Sequence, residues 1–543
     1  MFSEPAIGEK FFGREDVLEL LNKRVLALKD GYRQNVALTG QSLSGKSSII
    51  LHFLRTIEDD GFVPVYVEVI KENFRSFSNK FIATMLYNSL RKMGEAVDIE
   101  IEALIDKARA LLPKTYLAIK NVNSYIERGD LDEAYSALLG LTSILKTETK
   151  FSCIVILDEF DNLEKIGVRN QFTSFGKVIM VQKDTMYIVA SSRGAAIKKI
   201  LSEKLALLFG NFEVVKISNF DRKTSCRFLD IKLAGFDIEE GMVKFLTAFT
   251  DGNPFYLDKM ASHIKGLALE RMSSHIDADI IARAMVDLVY NFDGAIHQYL
   301  TNFILELLDT RQKDIHLGIL GAIANGKNRH PAIAKALKMK QGEVLKGAAL
   351  LIEAGLISKN GAFYKIDDTM LGFWLRHVYQ RRKEMLVDGV LDKNSLFIKE
   401  AHSYIDGFMS ELVKSAVARV AELFNRFSNE LVQVESKHIR LPHFTKVEVK
   451  SFADSSAFVC ASFRGNSWII QPYRRCVTEN DIINYIRNAK TLDTRQSSKI
   501  IIPLADIEEN ARLLAKELKI SLWNDTALNM LFEFYGMKKM VTG

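Results

Sequence analysis

Proline is scarce in this chain, with 8 among 543 residues, which excludes long proline-rich linkers and rigid extended spacers. Cysteine is scarcer still. Its four copies, Cys153, Cys226, Cys460 and Cys476, lie far apart, with neither zinc-ligand spacing nor the density of a disulfide framework. The ten histidines form no metal-binding pattern either. No apolar run approaches the roughly 18 residues that cross a bilayer, so no membrane partner is expected. The opening residues Met1-Phe2-Ser3-Glu4-Pro5 lack the basic start and apolar stretch of a secretory signal. A reduced, cytoplasmic setting fits all of this. Charge of one sign is missing too. The 73 basic and 67 acidic residues leave a formal charge of +6, too small for this length to demand or exclude nucleic acid, so only a local basic face can decide. There is no internal repeat and no low-complexity tract.

What is present is an ordinary globular balance, 48% apolar and 26% charged, in a chain too long for one core and expected to form roughly three or four domains. Chemistry is concentrated near the start. Asn35-Val36-Ala37-Leu38-Thr39 reads as a short buried strand. It runs into Gly40-Gln41-Ser42-Leu43-Ser44-Gly45-Lys46-Ser47, a complete GxxxxGK[ST] loop, and Ser48 to Arg55 continues as a helix. The glycines let backbone N–H groups and the helix N-terminus wrap phosphates closely. Lys46 is expected to reach the β- and γ-phosphates, and the Ser47 hydroxyl to ligate Mg2+.

A continuous apolar run, Cys153-Ile154-Val155-Ile156-Leu157, ends in Asp158-Glu159, as a central parallel strand buried on both faces would. Asp158 is expected to hold Mg2+, directly or through water, and Glu159 to orient and deprotonate the attacking water. Met186-Tyr187-Ile188-Val189-Ala190 ends in Ser191-Ser192-Arg193. An arginine at such a strand tip is placed to sense the γ-phosphate, though a solvated loop arginine is the alternative. Val63 to Ile70 and Val214 to Ile217 supply two more strands. Strands alternating with helices predict a parallel sheet with right-handed crossovers and the nucleotide at its C-terminal edge. Residues 72–150 read as helices packed beside that sheet.

Two further segments complete an ordered series: Phe11-Phe12-Gly13-Arg14-Glu15 before the loop and Gly252-Asn253-Pro254-Phe255-Tyr256-Leu257 after the sheet. This order resembles the archaeal-type ATPases of the STAND class, relatives of AAA+ and origin-recognition ATPases, over roughly residues 8 to 385. The resemblance implies ATP as ligand, Phe12 and Gly13 beside the adenine, Arg14 near the nucleotide, and Pro254 of a helical lid on its other side. Val17 stands where many relatives have a second glutamate. Taken alone, Gly252-Asn253-Pro254 reads as an interhelical turn.

Farther on, Leu317 to Ala324, Pro331 to Leu337 and Gly342 to Ala354 form three helices, and Leu356 to Ile366 a hairpin turning at Asn360-Gly361. That is a winged helix-turn-helix, and the family is similar in carrying one here. Gln341 and Lys346 on its third helix and Lys359, Asn360 and Lys365 on its wing are DNA-contact candidates, joined by Arg381 and Arg382 in the basic run Arg376-His377 to Lys383. Val344, Leu345, Leu350 and Ile352 read as buried. A charge run is also what a solvated helix face looks like, so a protein-contact role stays open.

From about residue 390 the order is a helix (Tyr404 to Phe427), strands, a helix (Glu479 to Leu492), strand Lys499 to Leu504, helix Ile507 to Leu518 and strand Ile520 to Trp523. It looks like the restriction-endonuclease-like domain that ends many family members. An active copy needs an acidic residue and an E-x-K strand holding metal and water. The strand in that place reads Trp468-Ile469-Ile470-Gln471-Pro472-Tyr473-Arg474, which predicts a non-cleaving copy. Glu448-Val449-Lys450 is an E-x-K set one or two strands too early.

The whole chain is thus expected to be α/β, divided as a parallel-sheet P-loop ATPase domain (1–217), a helical lid (218–305), a winged helix-turn-helix (306–388) and an endonuclease-like domain (389–543). The expected function is an ATP-hydrolysing switch working on double-stranded DNA. The alternatives are an ATP-regulated metal-dependent nuclease and a nucleotide-dependent scaffold, with a second copy or another protein as partner.

Overall fold

Val36, Leu38, Ile154, Ile156, Met186 and Ile188 pack into one apolar core, while their strand neighbours Ala37, Val155, Leu157, Tyr187 and Val189 pack into another. Strand side chains alternate between faces, so a sheet covered on both sides needs uninterrupted apolar runs. The computed structural model describes residues 4–57, 61–205, 210–307, 312–382, 393–434, 437–452, 457–492 and 497–540. The chain divides into two units.

The first unit is Met1–Phe220 with Asn253–Phe255 and Glu353–Gly355. Its elements run α1 (Glu15–Lys29), β1 (Asn35–Thr39), α2 (Lys46–Thr56), β2 (Phe62–Glu68), α3 (Phe74–Lys92), α4 (Ile101–Leu111), α5 (Pro113–Arg128), α6 (Leu131–Thr149), β3 (Ser152–Asp158), α7 (Gln171–Val181), β4 (Thr185–Ser191), α8 (Gly194–Lys199) and β5 (Phe212–Lys216). The strands order as β2-β3-β4-β1-β5, and every neighbouring pair is parallel. α1 and α2 cover one face through Leu21, Val25, Ile50 and Phe53. The stretch from α3 to α6 covers the other through Phe77, Phe81, Leu138 and Leu145. Val17, at the position where the resembled family often has glutamate, is one of the apolar residues with which α1 packs on the sheet. Full burial of Ile154, Ile156 and Leu157 contributes ~1.5–3 kcal/mol each.

The second unit is Asp221–Gly252, Tyr256–Ile352 and Leu356–Gly543. It opens with α9 (Arg222–Lys232), β6 (Asp237–Ile238), α10 (Glu240–Thr250), α11 (Pro254–Glu270), β7 (His275–Ile276), α12 (Ala278–Met285) and α13 (Ala295–Leu307). Three helices follow, α14 (Lys313–Ala324), α15 (His330–Leu337) and α16 (Gln341–Glu353), then the antiparallel hairpin β8 (Ile357–Asn360) and β9 (Phe363–Ile366). α17 (Thr369–Phe373) continues to Tyr379 with π-type geometry. One helix was expected over Tyr404 to Phe427. Two are found, Lys393–Val413 and Ala416–Phe424, because the Ser415 hydroxyl accepts the Ala418 amide and caps a new helix.

The last strands are β10 (Glu430–Val434), β11 (Lys437–Leu441), β12 (Lys446–Ser451), β13 (Ala457–Phe463), β14 (Asn466–Tyr473), β15 (Ser497–Pro503) and β16 (Ser521–Leu522). β12 to β16 form a sheet in chain order, antiparallel up to β14 and parallel thereafter. The helix Glu479–Leu492 crosses between β14 and β15. No helix among the described residues is long and apolar enough to cross a membrane.

Candidate active site

The loop between β1 and α2 needs glycine at two positions. A Cβ on Gly40 would lie 2.2 Å from the Ile217 carbonyl oxygen, so glycine is required where the loop leaves the sheet. Gly45 has φ +97°, open to glycine and strained for other residues. Ser48 is in α2, where its hydroxyl accepts the Ala6 amide at 3.0 Å. Lys46 is buried, and its Nζ donates to the carbonyls of Gly40 (3.1 Å) and Gln41 (2.8 Å) within the loop. Burial pushes the ammonium below the ordinary lysine range, against the pull of Glu159, Asp158 and Asp161.

Asp158 closes β3 and is 2% exposed. Its Oδ2 accepts from the Ser47 hydroxyl at 2.6 Å and from Tyr66 on β2 at 3.2 Å, and its Oδ1 accepts the Glu159 amide at 3.0 Å. Ser47 and Asp158 thus bring two oxygens together in a buried spot, a donor set that suits a hard cation such as Mg2+.

Glu159 sits at φ +51° just past the strand. Its Oε1 accepts from the Ser192 hydroxyl at 2.6 Å. Burial raises its pKa, while Lys46 and the Ser192 hydrogen bond oppose that rise. A carboxylate with its proton affinity raised is suited to take a proton.

Arg193 forms an ion pair with Asp161, and Ser191 donates to the same carboxylate at 2.6 Å. Asp161 and Tyr66 join the site without a motif in the sequence to mark them. Asp161 stands three residues past Asp158, in a turn whose pairing with a distant strand tip leaves no periodic signal. Arg14, at φ +71°, donates to the Ser44 carbonyl at 3.4 Å and to the Ser218 carbonyl, and stacks over Phe220 at 4.8 Å. Phe12 meets the same ring edge-on at 5.8 Å. Gly13 takes φ +68° between them. Pro254, the first residue of α11, groups with the first unit.

The DNA candidates fare differently. Gln341 and Lys346 are exposed on α16. Leu345 and Leu350 were expected to be buried and are 43% and 49% exposed, because α16 turns only Val344, Gly347, Ala348 and Leu351 inward. Lys359 lies over the Tyr364 ring at 5.8 Å. Asn360 is held by both backbone groups of Gln433, at 2.7 and 2.9 Å. Lys365 pairs with Glu533 at 2.7 Å, and Arg381 with Glu400 at 3.0 Å. Arg382 donates to the Tyr290 carbonyl and stacks on Phe292 at 3.8 Å. Asn360, Lys365, Arg381 and Arg382 therefore do not form one free basic face. Lys383 lies outside the described residues.

Gln471 and Tyr473 bond to each other at 2.8 Å, and the nearby Asp481 is held by Arg475 at 2.6 and 2.7 Å. Glu448 is on the edge strand β12 and pairs with Lys446 at 2.6 Å. Among the described residues no group of three or more His, Cys, Asp or Glu side chains is arranged to hold a metal.

Residues 10–168 match the family model described as an AAA ATPase domain. No curated protein matches the sequence. Among solved structures, a Walker-type ATPase of Pyrococcus abyssi is similar at 19% identity and TM-score 0.49, over 69% of this chain and 99% of that one. The Aeropyrum pernix ORC2 protein is similar at 12% identity and TM-score 0.42, over 76% and 97%. The Aeropyrum pernix ORC1 protein in complex with DNA is similar at 13% identity and TM-score 0.36, over 75% and 96%. The first unit carries a nucleotide-binding P-loop ATPase domain of the AAA type.

Proposed function

We propose that the protein is an ATP-hydrolysing molecular switch of the cytoplasm, with its catalytic centre at Lys46, Ser47, Asp158, Glu159 and Arg193. The convergence of the Ser47 hydroxyl, the buried Asp158 carboxylate and the Ser192-held Glu159 on one loop carries this reading. The amides from Gly40 to Ser48 would cradle the phosphates, and Lys46 would exchange its two carbonyl partners for β- and γ-phosphate oxygens. Ser47 and Asp158 would hold Mg2+, which when bound neutralises charge on the phosphate oxygens. Glu159 takes the proton of the attacking water, with Ser192 fixing its carboxylate. Phe12 and Gly13 would lie beside the base and Arg14 near the nucleotide, with Pro254 on its other side, as in the STAND relatives that the sequence resembles.

Lys46→Ala removes the cation from the β- and γ-phosphates, and ATP binding measured by calorimetry should be lost. Tight binding with normal turnover in that variant would rule the site out.

For the output of the switch, the exposed pair Gln341 and Lys346 on α16, with Lys359 on the wing, supports contact with duplex phosphates. Such binding should fall steeply with salt in an anisotropy titration and show weak sequence preference. Exposed Leu345 and Leu350 on the same helix favour a second reading, in which this helix meets a partner protein or a second copy. No salt-sensitive DNA binding, with or without ATP, would leave that second reading standing. The mixed sheet β12 to β16 supports an endonuclease-like ancestry for the last part of the chain. The Gln471–Tyr473 pair in place of a carboxylate and lysine supports its being inactive.

A further inference from the structure

The second unit contains a cavity of about 460 Å³, within the ~300–1,000 Å³ range of small-molecule sites. α10, α14, β9, α17 and its continuation, the helix Lys393–Val413 and the segment 533–539 all contribute to its lining. None of the phosphate-loop residues belongs to it.

One side is a continuous aromatic wall. Phe249 meets Phe373 at 4.9 Å, Phe373 stacks on His377 at 4.7 Å, and both Phe373 and His377 touch the Tyr404 ring, at 4.9 and 5.6 Å. Burial, with Arg376 and Lys538 nearby, lowers His377 to about 4, so at neutral pH it is an uncharged ring suited to stacking.

Cationic side chains line the same cavity. Glu533 is the acidic residue of the lining, and it is already paired with Lys365 at 2.7 Å and Lys539 at 3.1 Å. Lys539 has Asp251 as a second partner at 2.6 Å. Arg376 and Lys538 remain. Among the described residues neither forms an ion pair, and Lys538 lies over the Tyr404 ring at 5.0 Å. A half-buried ammonium that forms no ion pair and donates to the Tyr404 carbonyl at 3.4 Å, in one cavity with the Arg376 guanidinium and a wall of ring faces, is complementary to one kind of ligand: a flat ring carrying an anionic group. The rings supply stacking, and the two cations supply charge-assisted hydrogen bonds.

We propose that this cavity is a second ligand site, distinct from the phosphate loop, that binds an aromatic anion of mononucleotide size, its ring against Phe373, His377 and Tyr404 and its phosphate on Arg376 and Lys538. Such a ligand would tie α10, the wing strand β9 and the last residues of the chain together, so it would act as an effector on the second unit.

The test is calorimetry with adenosine and guanosine 5′-monophosphate on the full chain carrying Lys46→Ala, so that the phosphate loop does not respond. Inorganic phosphate and the unphosphorylated nucleosides serve as half-ligands. One mononucleotide should bind per chain and raise the melting temperature. Adding Arg376→Glu should weaken it at least ten-fold, and Arg376→Gln should weaken it less. Arg376 is exposed, so Arg376→Glu alone should keep ATP turnover and the ligand-free melting temperature. The proposal is overturned if neither monophosphate binds at millimolar concentration. It is equally overturned if Arg376→Glu binds as tightly as its parent, or if phosphate or a nucleoside alone binds as tightly as the nucleotide.

Discussion

Glu159 leaves the end of β3 in a left-handed backbone conformation, which costs ~1–3 kcal/mol for a non-glycine residue and turns its carboxylate to Ser192. The Ser192 hydrogen bond favours the ionised form and so works against the burial that raises the pKa. Ser192→Ala should therefore raise the pKa further and leave the carboxylate less fixed. The expected result is a turnover loss of ~10-fold or more, an acid limb of the pH–rate profile moved to higher pH, and unchanged ATP affinity. An unmoved acid limb would remove Ser192 from this role. The phosphate loop and Asp158-Glu159 were legible in the sequence because each is contiguous and carries its strand or helix beside it. The Tyr66–Asp158 and Asp161–Arg193 contacts were not legible, since the first joins two strands and the second joins the turn after β3 to the tip of β4, and only the folded sheet supplies that strand order.

The hairpin β8–β9 is built into the surface of the β10 segment. Ala362 donates to the Leu431 carbonyl at 3.1 Å, Asn360 clasps Gln433, and Phe363 stacks on Phe534 at 4.8 Å. Gly361 makes this approach possible. Its φ is +57°, and a Cβ there would lie 2.0 Å from the Leu431 oxygen. Gly361→Ala should lower stability by ~1–3 kcal/mol, read as a lower melting temperature. Gly140→Ala, in a helix with open space around the new methyl, should be neutral or stabilising by ~0.5–1 kcal/mol. The neighbouring Glu430 is pushed up by burial, but hydrogen bonds from Ser428 and Tyr535 outweigh that and hold it below the ordinary glutamate range. It also pairs with Arg329. With its folded pKa depressed, its stabilisation is fully present above the unfolded value of ~4.3 and is lost as pH falls through the folded one. Glu430→Gln should flatten that acid limb of stability, and an unchanged limb would count against the pair. The Asn360-Gly361 turn was readable from its dipeptide, whereas its burial against a strand seventy residues later was not. Periodicity also misjudged Leu345 and Leu350, because an apolar residue on a helix is inward only if a neighbour covers it.

For the molecule as a whole, alternating strands and helices made the parallel sheet of the first unit legible, down to the apolar runs of β1, β3 and β4. The second unit was less so. Its aromatic cavity gathers residues from six segments, and no local pattern announces it. No metal-dependent DNA cleavage is expected from the full chain, and cleavage abolished by Glu448→Ala would reverse that. The ATPase reading itself rests on Glu159 with an intact phosphate loop, and its most direct measurement is ATP binding and turnover, side by side, for the parent and Glu159→Gln. The expected result is unchanged ATP affinity with hydrolysis slowed by roughly two to four orders of magnitude. Hydrolysis at the parental rate in Glu159→Gln would contradict the assignment of the catalytic base.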